Sequence, residues 1–345
     1  MTTVTLPEPN FSFKNELALL TGAVLPLDNK EDVTPWFDLV LEAQGNVVKI
    51  HLDTVEWFTI GHTDPDAFDL MVQNLEKDLR QGENKNIFFI INLWKSKQMS
   101  QPLTSELIHD SSIFQDYETN HLRPLVKRLN KFKSLLAWDL LDEPERFAFD
   151  NSNDPDKCFN TQSFQHIVPG IGHLKIRHVQ QFLAKQAQII HGIEPRKLVT
   201  ATFDSTNAFR SSREGNPGFN HFEDDCLSKS IGSPLNDKDC TLDFYTVLVS
   251  KGSELLHQSF APGNLSENSP KPVVVIADEY FDDLIQIVDK KSKGEWECQG
   301  VMGTFTSTFS DRFNGKIADG ISIFSNLWLM LRPNHVNNIL DENKI

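Results

Sequence analysis

The sequence predicts a single α/β domain over residues 1–345, folded as a (β/α)8 TIM barrel with long βα loops, and three observations lead there. Short apolar runs alternate with amphipathic stretches along the whole chain, the pattern of repeated βαβ units. Two of those runs, SLLAWDLLDEPE at Ser134 to Glu145 and KPVVVIADEY at Lys271 to Tyr280, change abruptly from buried-strand composition to a cluster of acids. The chain of 345 residues also exceeds the roughly 250 that such a barrel needs, which leaves material for long connections.

Taken in order, Leu17 to Leu25 reads as the first strand. Asp32 to Ala43 follows as a helix with Pro35 in its first turn and Phe37, Val40 and Leu41 on one face. Gly45 closes that helix and Asn46 to Asp53 supplies the second strand. Asp64 to Leu79 is amphipathic through Phe68, Met71, Val72, Leu75 and Leu79, and Asn86 to Trp94 is the third strand. A third helix over Tyr117 to Phe132 leads into the fourth strand, where Leu135, Leu136, Ala137 and Trp138 form a run buried on both faces. Pro144 ends that ladder and biases Glu143 to an extended backbone. Phe147 to Gly172 carries no period and reads as a long loop. A helix at Ile176 to Gly192, a fifth strand at Lys197 to Phe203, a loop at Asp204 to Asp239 and a sixth strand at Leu242 to Val249 come next. A short helix at Ser253 to Ser259, the seventh strand ending at Glu279, a helical stretch at Phe281 to Lys290 and an eighth strand within Ile317 to Leu331 complete the count.

The charge balance narrows the partners. Lys and Arg number 33 against 48 Asp and Glu, a net charge of −15 with no basic run. That disfavours nucleic acid and anionic membranes and suits a neutral polymer bound by a monomer. No apolar run reaches the roughly 18 residues a bilayer span requires. The amino terminus lacks a basic and apolar leader pattern, so the expected location is cytoplasmic, or exported by a route without a classical signal peptide. Cys158, Cys226, Cys240 and Cys298 have no zinc-type spacing. Cys226 and Cys240 flank one loop and can pair if the chain is exported; in a cytosolic chain they are unpaired thiols. Asn10 and Asn264 begin N-x-S sequons, which matter only where glycosylation occurs.

Two buried strands that each deliver a glutamate at their carboxyl end place two carboxylates at the mouth of one pocket, the side of a barrel that carries chemistry. Paired carboxylates are the equipment for cleaving a glycosidic bond. WDLLDEP at Trp138 to Pro144 resembles the W-x-L-x-N-E-P motif of clan A glycoside hydrolases, the clan of the family 5 cellulases and mannanases. KPVVVIADEY resembles the same clan's nucleophile strand. The resemblance implies a retaining double displacement on a β-linked glycan, with Glu143 as acid/base and Glu279 as nucleophile, their carboxyl groups about 5 to 5.5 Å apart. It implies no cofactor and no metal.

Several positions depart from that pattern. Asp142 stands where the clan has Asn, so an acceptor replaces an amide donor next to Glu143. Lys49 replaces a common Arg on the second strand, Tyr245 is what the sixth strand offers in place of His-x-Tyr, and Phe324 stands where a Trp platform is usual, with Trp328 nearby to replace it. Trp57, Phe58 and Trp94 lie at or beyond strand ends, where rings stack on sugars or fill the core, while Trp138 reads as core. Tyr280 adjoins Glu279. Two other readings stay open. In one, the barrel is a degenerate, glycan- or protein-binding relative. In the other, His51, Asp53 and Asp278 hold a metal for hydrolysis.

Overall fold

The structure is a computed structural model, and it describes residues 12–13, 16–17, 20–25, 34–42, 45–52, 64–95, 106–148, 152–162, 174–203, 220–235, 237–249, 271, 273–277 and 301–307. Eight parallel strands close into a ring: β1 Leu20–Leu25, β2 Val47–His51, β3 Phe88–Asn92, β4 Leu135–Asp142, β5 Leu198–Phe203, β6 Tyr245–Val249, β7 Val273–Ala277 and β8 Val301–Ser307. Each pairs with its sequence neighbours, and β8 pairs with both β7 and β1 to complete the closure. A short antiparallel ladder, Ser12–Phe13 with Glu16–Leu17, precedes the ring. The expected barrel is present, with one correction. Its eighth strand is Val301–Ser307 and not part of Ile317 to Leu331, which lies outside the described residues. The segment VMGTFTS was passed over because its Gly, Ser and Thr dilute the apolar signal, whereas 317–331 carries a longer apolar run.

Period-2 alternation sorts the strand side chains into two cores. Leu20, Val24, Val47, Ile90, Ala137, Phe244, Val274 and Ile276 form the smaller cluster inside the ring. Residues of opposite parity, among them Val48, Ile50, Phe89, Ile91, Trp138, Val199 and Val247, pack outward against the helices in the larger cluster. Gly22 sits where β1 meets Val47 of β2: a Cβ there would lie 1.7 Å from the Val47 carbonyl oxygen. No other residue permits that approach.

The helices form by local rules. In α1 (Thr34–Glu42), Phe37 and Val40 are buried. For α2 (Pro65–Lys85), the Asp64 carboxylate accepts from the Ala67 N–H at the start and Asn86 closes the end at φ 57°. Next comes α3 (Ser111–Tyr117), capped by Asp110, which runs through a π turn at Glu118–Leu122 into α4 (Arg123–Leu129). Pro124 has no N–H to give to Asn120, and the ladder shifts register there, Arg123 N–H reaching Glu118 O. The last two are α5 (Ile176–Ile193) and α6 (Asp224–Ile231). No described helix is long and apolar enough to cross a membrane.

A disulfide joins Cys158, in the segment after β4, to Cys226 on α6. Both readings left open for Cys226, a bond to Cys240 or a free thiol, are therefore corrected. Sequence proximity favoured the shorter loop, but α6 turns Cys226 toward the β4 side, and Cys240 remains a buried free thiol donating to Asp237 O.

Candidate active site

Strand β4 builds the site through a bulge. Asp139 pairs with Thr200 and Asp142 with Thr202, so three steps along β4 match two along β5. Two residues an odd number apart normally face opposite sides of a sheet. The extra residue re-aims the strand and brings both Asp139 and Asp142 into contact with inward-facing Lys49.

Lys49 is 1% exposed and spends its three ammonium protons inside the ring. Its Nζ lies 2.6 Å from Asp139 Oδ2, 2.7 Å from Thr202 Oγ1 and 3.1 Å from Asp142 Oδ1. Thr202 Oγ1 donates in turn to Asp139 Oδ2 at 2.6 Å. Asp142 Oδ1 also accepts from Asn92 Nδ2 at 3.1 Å, and its Oδ2 faces His51 Nδ1 at 3.5 Å. His51 Nδ1 stands 3.0 Å from Asn92 Oδ1.

Burial and charge set the protonation of this cluster. Burial works against ionising Asp142, but Lys49 and His51 outweigh it and hold the carboxyl below its usual range. Burial pushes Asp139 up to about 6, reinforced by Asp142 and opposed by Lys49. For Lys49, desolvation is outweighed by Asp139 and Asp142, and its pKa is raised. Burial drives His51 down to about 4 against the pull of Asp142, so its ring is neutral at pH 7.

Glu143 follows at the carboxyl end of β4, 3% exposed. The expected extended backbone is corrected: Glu143 lies at φ 53°, ψ 50°, the left-handed region that non-glycine residues seldom occupy. Pro144 instead opens a 3-10 turn, Pro144–Phe147, as its first residue. Contacts with β5 and Arg146 hold the strained residue. Its N–H donates to Thr202 O, its carbonyl accepts from Arg146 N–H at 3.0 Å, and Arg146 Nε lies 3.0 Å from its Oε2.

Two residues expected to meet substrate belong to the packing layer. Trp94 is fully buried outside the ring, edge-on to Tyr117 and Phe182, with its indole N–H donating to the Tyr117 hydroxyl at 3.0 Å. Tyr245 has outward parity and is 1% exposed; its hydroxyl accepts from Asn220 Nδ2 at 2.9 Å. Both are buried with their polar tips held by protein partners. Trp138 is core, its indole N–H donating to Asn130. Glu279, Tyr280, Trp57, Phe58, Trp328, Phe324, Asp53 and Asp278 lie outside the described residues.

The structure adds Asp139, Thr202, Asn92 and Arg146 to the residues singled out from sequence. Asp139 had a signal: a carboxylate inside a strand otherwise buried on both faces requires a partner. Among the described residues one group has metal-ligand proximity, Cys158, Glu223 and Cys226, and its two sulfurs are bonded to each other. His51, the described member of the imagined metal set, is engaged with Asn92 and Asp142.

No protein-family model matches the sequence. Over 262 residues the chain is 22% identical to a mannan endo-1,4-beta-mannosidase of Cryptopygus antarcticus, a match covering 74% of this chain and 63% of that relative. A mannan endo-1,4-beta-mannosidase of Mytilus edulis is 27% identical over 182 residues, 51% of this chain and 47% of its own. The matches thus span about half to just under two thirds of these relatives' lengths. Among solved structures, the beta-1,4-mannanase of the sea hare Aplysia kurodai superposes with a TM-score of 0.72 at 21% identity, covering 92% of this chain and 95% of that one. The fold is shared over most of the chain.

Proposed function

We propose that this chain hydrolyses internal β-1,4 linkages of a mannan-type polysaccharide by double displacement. Glu279 attacks the anomeric carbon while Glu143 protonates the departing oxygen, and Glu143 then takes a proton from the water that releases the glycosyl enzyme. The observation that carries the reading is Glu143 itself, a buried carboxylate fixed in a strained conformation at the carboxyl end of a barrel strand. Strain of this kind clusters where geometry serves chemistry. Beside it, Asp142 is held ionised by Lys49 and offers the sugar an acceptor where the clan pattern has an amide donor. The mannan preference is taken from the names of the relatives in two separate animals.

The disulfide supports export to an oxidising compartment as the working location.

The test is release of reducing ends from β-1,4-mannan, with cellulose and xylan alongside. Glu143→Gln and Glu279→Gln are each expected to lower kcat by at least about 100-fold, the contribution of a positioned acid or nucleophile. Full activity in both variants, or a wild-type chain inert on every β-glycan, overturns the assignment and leaves the degenerate binding module as the reading to pursue.

A further inference from the structure

The charge cluster inside the ring contains a residue whose contacts exceed what packing needs. Asp139 is fully buried, and its Oδ2 receives both the Lys49 ammonium and the Thr202 hydroxyl. Its Oδ1, also buried, has no hydrogen-bond partner among the described residues. A buried ion pair is a weak source of stability, since desolvation offsets most of the attraction; such pairs are better at fixing geometry. Here the geometry fixed is that of Lys49. Without Asp139, one carboxylate remains to that ammonium, Asp142, which it meets at 3.1 Å against 2.6 Å for Asp139.

We propose that Asp139 is a positioning residue: from the ring interior it holds Lys49 away from full pairing with Asp142, and so sets where the Asp142 carboxylate stands beside Glu143. The inference rests on the reading of Glu143 as acid/base. Among the described residues, the other groups facing this cluster are His51 on β2, Asn92 on β3 and Lys95 just beyond it, Asp142 on the same strand, and Thr202 on β5.

The experiment uses the full chain with mannohexaose and compares wild type, Asp139→Asn, Lys49→Met, the double variant and Asp139→Glu. Asp139→Asn is expected to lower kcat by roughly 10- to 100-fold with little change in KM, as sub-ångström misplacement does. The double variant is expected to match Lys49→Met alone, because Asp139 acts through that side chain. Asp139→Glu, which restores the charge, recovers part of the loss. Unchanged kcat, or losses that multiply in the double variant, overturn the proposal. A structural role alone lowers Tm while leaving kcat of the folded fraction intact, and that outcome overturns it as well.

A second readout is independent of turnover. The Lys49 ammonium, enclosed by three acceptors, is expected to give a slowly exchanging 1H–15N signal in the wild type that Asp139→Asn abolishes. Persistence of that signal overturns the proposal whether or not any glycan is cleaved, whereas a wild-type chain inert on every glycan overturns the function alone. Should Asp139→Asn not fold, Thr202→Val removes one acceptor without stranding a charge, and loss of the same signal is again the expected result.

Discussion

The residue on which the proposed chemistry rests is Glu143, and what touches it is as informative as where it lies. Arg146 Nε stands 3.0 Å from its Oε2, and a cation at that distance favours the ionised carboxylate. The pairing suits the second half of the proposed double displacement, which asks Glu143 to act as a base, and opposes the first half, which asks it to hold a proton. Replacing Arg146 with Met therefore moves the alkaline limb of the kcat/KM profile to higher pH, because the acid keeps its proton longer. Arg146→Lys, which retains the charge, leaves the limb in place. Identical profiles for wild type and Arg146→Met would show that the pair is not maintained when substrate binds. Glu143 and Asp142 were legible in the sequence because a strand of apolar residues stops at them. Asp139 was not legible as a partner of Lys49, since three residues of separation on a regular strand would send it to the opposite face from Asp142. The bulge that reverses this leaves no mark in WDLLDEP.

At the scale of elements, the same ambiguity separates core aromatics from binding aromatics. Trp94 ends β3 as a sugar platform would, yet it is locked into a buried chain: its N–H donates to Tyr117 Oη at 3.0 Å, and Tyr117 Oη donates to Gln186 Oε1 at 2.9 Å on α5. The hydroxyl ties β3, α3 and α5 together through two hydrogen bonds. Removing it with Tyr117→Phe orphans a buried N–H and a buried amide oxygen, at a cost of about 2 to 4 kcal/mol. Urea unfolding is expected to show that loss while KM for mannan oligosaccharides stays unchanged. A raised KM with intact stability would return Trp94 to the binding surface. The start of α2 was legible because Asp64 caps it, whereas its end was not: the helix runs to Lys85, six residues past Leu79, and closes on Asn86. The start of α3 at Ser111 was missed, because the sequence signal lay in the apolar spacing after Tyr117 and the cap at Asp110 stood about two turns earlier. For β8 the apolar count favoured the wrong segment, since a barrel strand flanked by two parallel neighbours tolerates Gly and Thr when the ladder supplies the hydrogen bonds.

On the scale of the whole molecule, the repeated βαβ pattern was enough to foresee a closed ring, while the ties between distant segments were not, because nothing local encodes them. One such tie is His191 on α5. Its Nδ1 lies 2.9 Å from Asp239 O and its Nε2 3.1 Å from Asp243 Oδ2, so both nitrogens face acceptors and the charged ring is the form that satisfies them. Burial lowers its pKa, but Asp243 and the Asp239 carbonyl outweigh that and raise it above 6.5. A raised folded pKa contributes stability that is fully present below the unfolded value and is lost as pH rises through the folded one. His191→Gln is thus expected to cost about 1 kcal/mol more at pH 5.5 than at pH 8.5, a modest figure because Asp243 is partly exposed. Equal costs at the two pH values would mean that folding leaves the pKa of this ring unshifted.

The disulfide is the longer tie. It joins residues 68 positions apart, fastening the segment after β4 to the helix after β5 on the side where Glu143 stands. Loop-closure entropy for a span of that length corresponds to about 4 kcal/mol of constraint on the unfolded chain. The Cys158→Ala/Cys226→Ala variant is therefore expected to unfold at markedly lower urea, and dithiothreitol to bring the wild type down to the same midpoint without altering the variant. Cys240, buried and unbridged, plays no part in either result. A wild-type midpoint insensitive to dithiothreitol, with two free thiols at 158 and 226 by alkylation, would break the link to an oxidising compartment and return the cytosolic reading to favour.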